Sequence, residues 1–289
     1  MFQPVCELTQ VKSYPTIIAT NGDKADIYYP DLSQLKPTNF KFPIALFLQG
    51  FEVDKSYYTR FSKLIASAGF VVVVPNHTPP GRTYLAPELT QIQAILDYFK
   101  SNPVQENAEM LDCLDRDKLV LLGHSCGGIT GLEAIRYPQK VEEISQKEYI
   151  RLPELVGGVF YGTNLLRKEA GSLTIQNSGI PIALIAGELD SIVSPEWTQR
   201  TYENIADSPK VFLSIKGINH YGITDVSQPK DGPEEEKQPQ LQQTESIKII
   251  AEWSALFLQA YVLKLQASLE ILSQHKDFSN EQVQVMSEG

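Results

Sequence analysis

Ser125, Asp190 and His220 have the types and the chain order that can turn an alcohol into a nucleophile. Serine is weak at its own pKa. It needs a base within hydrogen-bond reach, and that base needs an acid to orient it. Ser125 lies in Gly123-His124-Ser125-Cys126-Gly127-Gly128, after the apolar run Leu119–Leu122 and before a helix-compatible run from Ile129 to Arg136. Strand, Gly-x-Ser-x-Gly and helix make a nucleophile elbow, a tight turn that holds the serine hydroxyl above a sheet edge. The pentapeptide alone arises by chance in roughly one chain in ten of this length. Its placement and the partners downstream therefore carry the reading.

Two histidines follow Ser125 in the chain, His220 and His275. His220 comes directly after the run Lys210–Ile215, so it should stand at the same sheet edge as the serine and act as general base. His275 lies in a polar stretch and reads as a solvated surface residue. The acid should leave the preceding strand. Asp190 does, just past the apolar run Ile180–Ala186, with Glu188 as the alternative. The oxyanion would be held by two backbone N–H groups. One is that of Cys126 at the start of a helix, and the other is that of Phe51 in the turn after Pro43–Leu48. The Cys126 thiol is a rival nucleophile by chemistry, but the residue after an elbow serine is angled into the core. It reads as a small packing residue, and so does His124.

The elements that must position these groups can be read from periodicity. Thr16–Thr20 and Ala25–Tyr29 flank Asn21-Gly22-Asp23, a hairpin signal. Pro43–Leu48, Phe70–Val74, Leu119–Leu122, Leu155–Phe160, Ile180–Ala186 and Lys210–Ile215 are short runs with little polar content. Such runs mark strands of a parallel sheet covered on both faces. Tyr57–Ala68, Glu88–Lys100, Ile129–Arg136 and Pro195–Ile205 read as helices between them. The βαβ crossovers should be right-handed. Glu245–Ser273 reads as one long amphipathic helix. The expected architecture is a single α/β domain over residues 1–289. Residues 1–14 would be an N-terminal extension, 225–243 a mobile acidic loop and 274–289 a frayed polar tail. The loops at 76–87, 138–154 and 163–178 would wall a cleft above Ser125.

With 42% hydrophobic and 21% charged residues, the 289-residue chain has the composition of an ordinary globule with a sizeable core. Its net charge of −10 argues against a nucleic-acid partner. Three cysteines make no disulfide framework and point to a reducing compartment. No Cys-x-x-Cys or Cys/His cluster has metal spacing, so neither metal nor cofactor is expected. The first residues lack the basic and apolar regions of a secretory signal. The apolar stretch Trp253–Leu263 is too short to span a bilayer. A cytoplasmic protein is expected, and a peripheral membrane contact is compatible with the sequence. Nothing in it fixes an oligomeric state.

Three segments carry a family resemblance: Phe42-Pro43-Ile44-Ala45-Leu46-Phe47-Leu48-Gln49-Gly50-Phe51, Ile65-Ala66-Ser67-Ala68-Gly69-Phe70-Val71-Val72-Val73-Val74-Pro75, and Gly123-His124-Ser125-Cys126-Gly127-Gly128. Together they resemble the chlorophyllase branch of the α/β-hydrolases, which is similar in turn to polyester hydrolases and platelet-activating-factor acetylhydrolases. The resemblance covers roughly residues 15–260. It implies the α/β-hydrolase fold, Ser125 as nucleophile, His220 as base, and a bulky apolar ester such as chlorophyll as substrate, cleaved to chlorophyllide and phytol. Relatives often carry His-Gly before the oxyanion residue, where this chain has Gln49-Gly50. Plant chlorophyllases place their acid soon after the strand that follows the nucleophile, where this chain has Tyr161-Gly162-Thr163-Asn164, without a carboxylate. The acid should therefore be Asp190, as in the broader esterase family. The expected activity is that of a serine carboxylester hydrolase. The alternatives are a general esterase, lipase or polyester hydrolase with the same three residues, and a non-catalytic ligand-binding protein on this fold.

Overall fold

The computed structural model describes residues 10–31, 33, 40–101, 108–136, 149–165, 174–275 and 281–289. Nine strands form one mixed, mostly parallel sheet: β1 (Val11–Ile17), β2 (Lys24–Pro30), β3 (Phe42–Leu48), β4 (Val71–Asn76), β5 (Leu114–His124), β6 (Leu155–Tyr161), β7 (Ile182–Gly187), β8 (Lys210–Ile215) and β9 (Val283–Glu288). Their order across the sheet is β1-β2-β4-β3-β5-β6-β7-β8-β9. From β4 to β8 neighbouring strands run parallel. The hairpin β1–β2 at one edge and β9 at the other pair antiparallel. This is the α/β-hydrolase architecture.

Seven helices are described: α1 (Thr59–Ser67), α2 (Leu89–Ser101), α3 (Ala108–Asp112), α4 (Cys126–Arg136), α5 (Pro195–Glu203), α6 (Gln243–Tyr261) and α7 (Gln266–Gln274). Strand pleating explains why the central runs lack polar residues. On β3, Ala45 and Phe47 enter a core shared with α1 and α6, while Ile44, Leu46 and Leu48 enter a second core shared with α2 and α4. Each strand feeds two cores, so an alternating polar face would leave charges buried. No helix among the described residues is long and apolar enough to cross a membrane.

Four expectations need correction. The hairpin begins at Val11, so the end of the 1–14 extension is a strand, with Val11 opposite Pro30. Residues 1–9 lie outside the described residues. The long C-terminal helix is broken between Tyr261 and Gln266, where Lys264 takes a positive φ of 59°. The buried Gln259 holds this corner: its carbonyl accepts the Leu265 N–H, its side-chain oxygen accepts the Ser268 hydroxyl, and its amide donates to Ala68. The polar tail ends in β9, whose alternating Val283 and Val285 are buried. The 225–243 segment is tied to the body rather than free. Asp225 accepts the Thr59 N–H at 2.9 Å at the start of α1, and Glu235 is buried. Most of the 138–154 loop, and 166–173 within the 163–178 loop, fall outside the described residues.

Candidate active site

The end of β5 turns sharply into α4, and Ser125 sits in the turn with φ 53°. A non-glycine residue held in this region stores strain, which persists only where its surroundings force it. The surroundings here are close backbone crossings. A Cβ on Gly127 would lie 2.0 Å from the Leu48 carbonyl, and one on Gly123 would lie 2.8 Å from the Gly127 backbone. Both positions therefore require glycine. The Ser125 N–H donates to the Tyr161 carbonyl at 3.0 Å, and the Thr163 hydroxyl donates to the Ser125 carbonyl at 2.8 Å. The Ser125 turn is thus fixed to the end of β6.

His220 and Asp190 meet over the same strand end. His220 Nδ1 and Asp190 Oδ2 are 2.8 Å apart, with the two residues 1% and 2% exposed. Asp190 Oδ1 accepts the N–H groups of Ile192 and Val193 at 3.0 and 2.7 Å. The carboxylate therefore spends one oxygen on its own loop and the other on the imidazole, which sets Nδ1–H and leaves Nε2 as the basic nitrogen. Among the described residues that Nε2 makes no hydrogen bond, either to Ser125 or to any other group. Serine–imidazole contacts are often long before substrate binds and tighten in the complex. Gly162, next to the residue that anchors Ser125, has a φ of 55°, and a Cβ there would lie 3.0 Å from Asp190 Oδ2 and 3.2 Å from His220 Nδ1. The Ser125 turn and the Asp190–His220 pair thus flank one dipeptide, Tyr161-Gly162.

The two N–H groups expected to receive an oxyanion lie at the head of α4 and in the turn after β3. The Cys126 N–H opens α4 and has no acceptor within its helix. The turn Gly50-Phe51-Glu52 leaves β3 with Glu52 at φ 57°, and the flanking N–H groups are used: Gly50 to Tyr58 Oη at 2.9 Å and Glu52 to the Leu85 carbonyl at 2.9 Å. The Phe51 N–H makes no hydrogen bond among the described residues. Gln49 is fully buried and exchanges hydrogen bonds with the backbone of His77 at 3.3 and 3.4 Å.

Other candidates fall away by position. Glu188 is exposed and accepts the Gly217 N–H. His275 donates from Nδ1 to the Ile271 carbonyl at the end of α7 and packs on Trp253, so it is a half-buried cap rather than a solvated side chain. Burial pushes the Cys126 thiol up and keeps it protonated, the opposite of what a thiolate nucleophile needs.

Two side chains read as bystanders, or not singled out at all, prove close to the site. His124 is buried between Tyr58 and His220 and is held neutral, well below the ordinary imidazole value, by burial and by the neighbouring His220. Glu235 accepts the His220 N–H at 3.1 Å. A histidine ending an apolar strand was a legible signal for the first. For Glu235, one acid in a Pro/Glu/Gln-rich stretch, the sequence offers none.

No curated protein matches the chain. The family model described as Chlorophyllase matches residues 30–141, a stretch that holds Phe51 and the Ser125 turn and ends before Asp190 and His220. That match, to a family within the α/β-hydrolase superfamily, and the mostly parallel nine-stranded sheet together support a hydrolase with the α/β-hydrolase fold.

Proposed function

We propose that the protein is a serine carboxylester hydrolase working through an acyl-enzyme, with a bulky apolar ester of the chlorophyll type as its leading substrate. The observation that carries the reading is the buried His220–Asp190 pair beside a serine held at positive φ. Ser125 Oγ attacks the ester carbonyl carbon as its proton passes to His220 Nε2. Asp190 stabilises the imidazolium. The N–H groups of Phe51 and Cys126 receive the oxyanion, and removing one such donor costs typically about 3–4 kcal/mol of barrier stabilisation. The tetrahedral intermediate collapses, and the alcohol leaves with the proton from Nε2. Water, deprotonated by the same nitrogen, then attacks the acyl carbon and releases the acid.

The apolar substrate is supported by the rim. Phe51 is 41% exposed with its ring against Tyr84 at 5.4 Å, and Ile129, one turn into α4, is 38% exposed. Thr130 reaches the Pro87 carbonyl, which brings the 76–87 loop to the head of α4. Apolar groups left in water beside a nucleophile favour an apolar ligand. A general esterase or polyester hydrolase is the second reading, favoured by an acid on the loop after β7 instead of after β6.

Ser125→Ala should abolish p-nitrophenyl ester hydrolysis and fluorophosphonate labelling while thermal unfolding is unchanged. Retained turnover would reject the assignment. A wild-type protein that neither hydrolyses nor labels would be a binder. A turnover panel of chlorophyll against p-nitrophenyl esters of increasing chain length decides between the two ester readings.

A further inference from the structure

Glu235 is 6% exposed and lies in the acidic segment between β8 and α6. Its Oε2 accepts the N–H of His220 at 3.1 Å and that of Ser191 at 3.2 Å. Its Oε1 accepts the N–H of Lys237 at 2.9 Å and the Ser191 hydroxyl. Ser191 is the residue after Asp190. One carboxylate therefore holds the backbone of the base and the backbone next to the acid. We propose that Glu235 is a positioning residue that clamps the acid loop to the base loop and sets the geometry of the Asp190–His220 pair.

This inference rests on the serine-hydrolase reading and adds a residue to it. All four partners of Glu235 are donors, so both of its oxygens must accept. A glutamine in the same place would turn its amide N–H groups toward either the His220 and Ser191 N–H pair or the Lys237 N–H. Donor against donor is repulsive, and the lost partner is buried. The segment is also held by bonds within the β8–α6 connection: the Gln228 side-chain oxygen accepts the Glu235 N–H, Asn219 donates to the Lys237 carbonyl, and the Tyr221 hydroxyl donates to the Pro233 carbonyl. The clamp is a built feature of the loop and not a chance approach of one side chain.

Glu235→Gln tests the proposal, with the neighbouring exposed Glu234→Gln as a control that removes the same formal charge without touching the clamp. Rates are taken per active site, titrated with a fluorophosphonate, so that any misfolded fraction drops out. Glu235→Gln should lower kcat for a p-nitrophenyl ester at least tenfold with KM within about twofold. Glu234→Gln should change neither. A Glu235→Gln enzyme with per-site kcat within twofold of wild type would overturn the clamp. So would a loss confined to the number of titratable sites. Wild-type protein that neither labels nor turns over would overturn the serine-hydrolase reading itself, a result distinguishable from both.

Discussion

The imidazole of His124 donates from Nε2 to the backbone carbonyl of His220, 2.9 Å away and 96 residues along the chain. A carbonyl can only accept, so Nε2 carries the proton and Nδ1 must be the acceptor. Tyr58 Oη lies 3.0 Å from that Nδ1 and donates to it, and the same oxygen accepts the Gly50 N–H at 2.9 Å. One buried chain of hydrogen bonds thus runs from the turn that presents Phe51, through the residue before Ser125, to the backbone of His220. It keeps a neutral histidine beside His220 and ties three segments far apart in the chain into one rigid unit.

Tyr58→Phe removes the middle of that chain and leaves a buried amide and a buried ring nitrogen without partners. Unsatisfied groups of this kind cost about 1–3 kcal/mol each. Urea unfolding should show a loss in that range, and kcat should fall because the Gly50-Phe51 turn loses its anchor. Equal stability would mean that water or another group replaces the hydroxyl.

Asp190→Asn keeps the shape but offers His220 Nδ1 an amide donor or a weaker acceptor. A flipped tautomer would take the basic nitrogen away from the serine. A loss in kcat on the order of 10⁴-fold is expected by comparison with acids of this role elsewhere. Circular dichroism and thermal unfolding should confirm a folded protein. A tenfold effect or less would mean that a different acid serves the base.

Gly127→Ala should prevent stable folding or cost more than about 4 kcal/mol, since its Cβ would collide with the Leu48 and Gln49 backbones, which cannot both withdraw. Gly22→Ala is the contrast. Nothing lies within 4 Å of its Cβ, but its φ is 82°, so only the backbone penalty of roughly 1–2 kcal/mol applies. Comparable losses at the two sites, read from urea midpoints, would contradict the close crossing at the elbow.

His77 gives a pH-dependent stability whose sign can be worked out. Burial pushes its pKa down, but the Asp23 carboxylate at 2.9 Å, assisted by Glu88 at 3.4 Å, more than offsets this and raises it above 6.5. A histidine bound more tightly to its proton when folded contributes stability that is complete below the unfolded value. That stability is lost as pH rises through the higher folded value. The stability difference between wild type and His77→Gln should therefore shrink as pH rises above the unfolded histidine value of about 6.5. A difference that is flat or grows with pH would contradict the ion pair.

The sequence by itself determined which chemistry was available and which segments would be buried on both faces. The strand runs are legible because each feeds two cores and so can carry almost no polar residue. Ser125 is legible because its strained turn requires glycines on either side. Asp190 and His220 stood out by following the strands β7 and β8. The tertiary structure decided the rest. The corner at Val262–Leu265 depends on Gln259 meeting Ala68, and β9 depends on the open edge of β8, neither of which is encoded within the segment itself. Glu235 looks like any solvated acid until the fold surrounds it with donors from Ser191, His220 and Lys237. Local pattern records what a residue costs to bury. What it meets once buried is set by chain segments that only folding brings together.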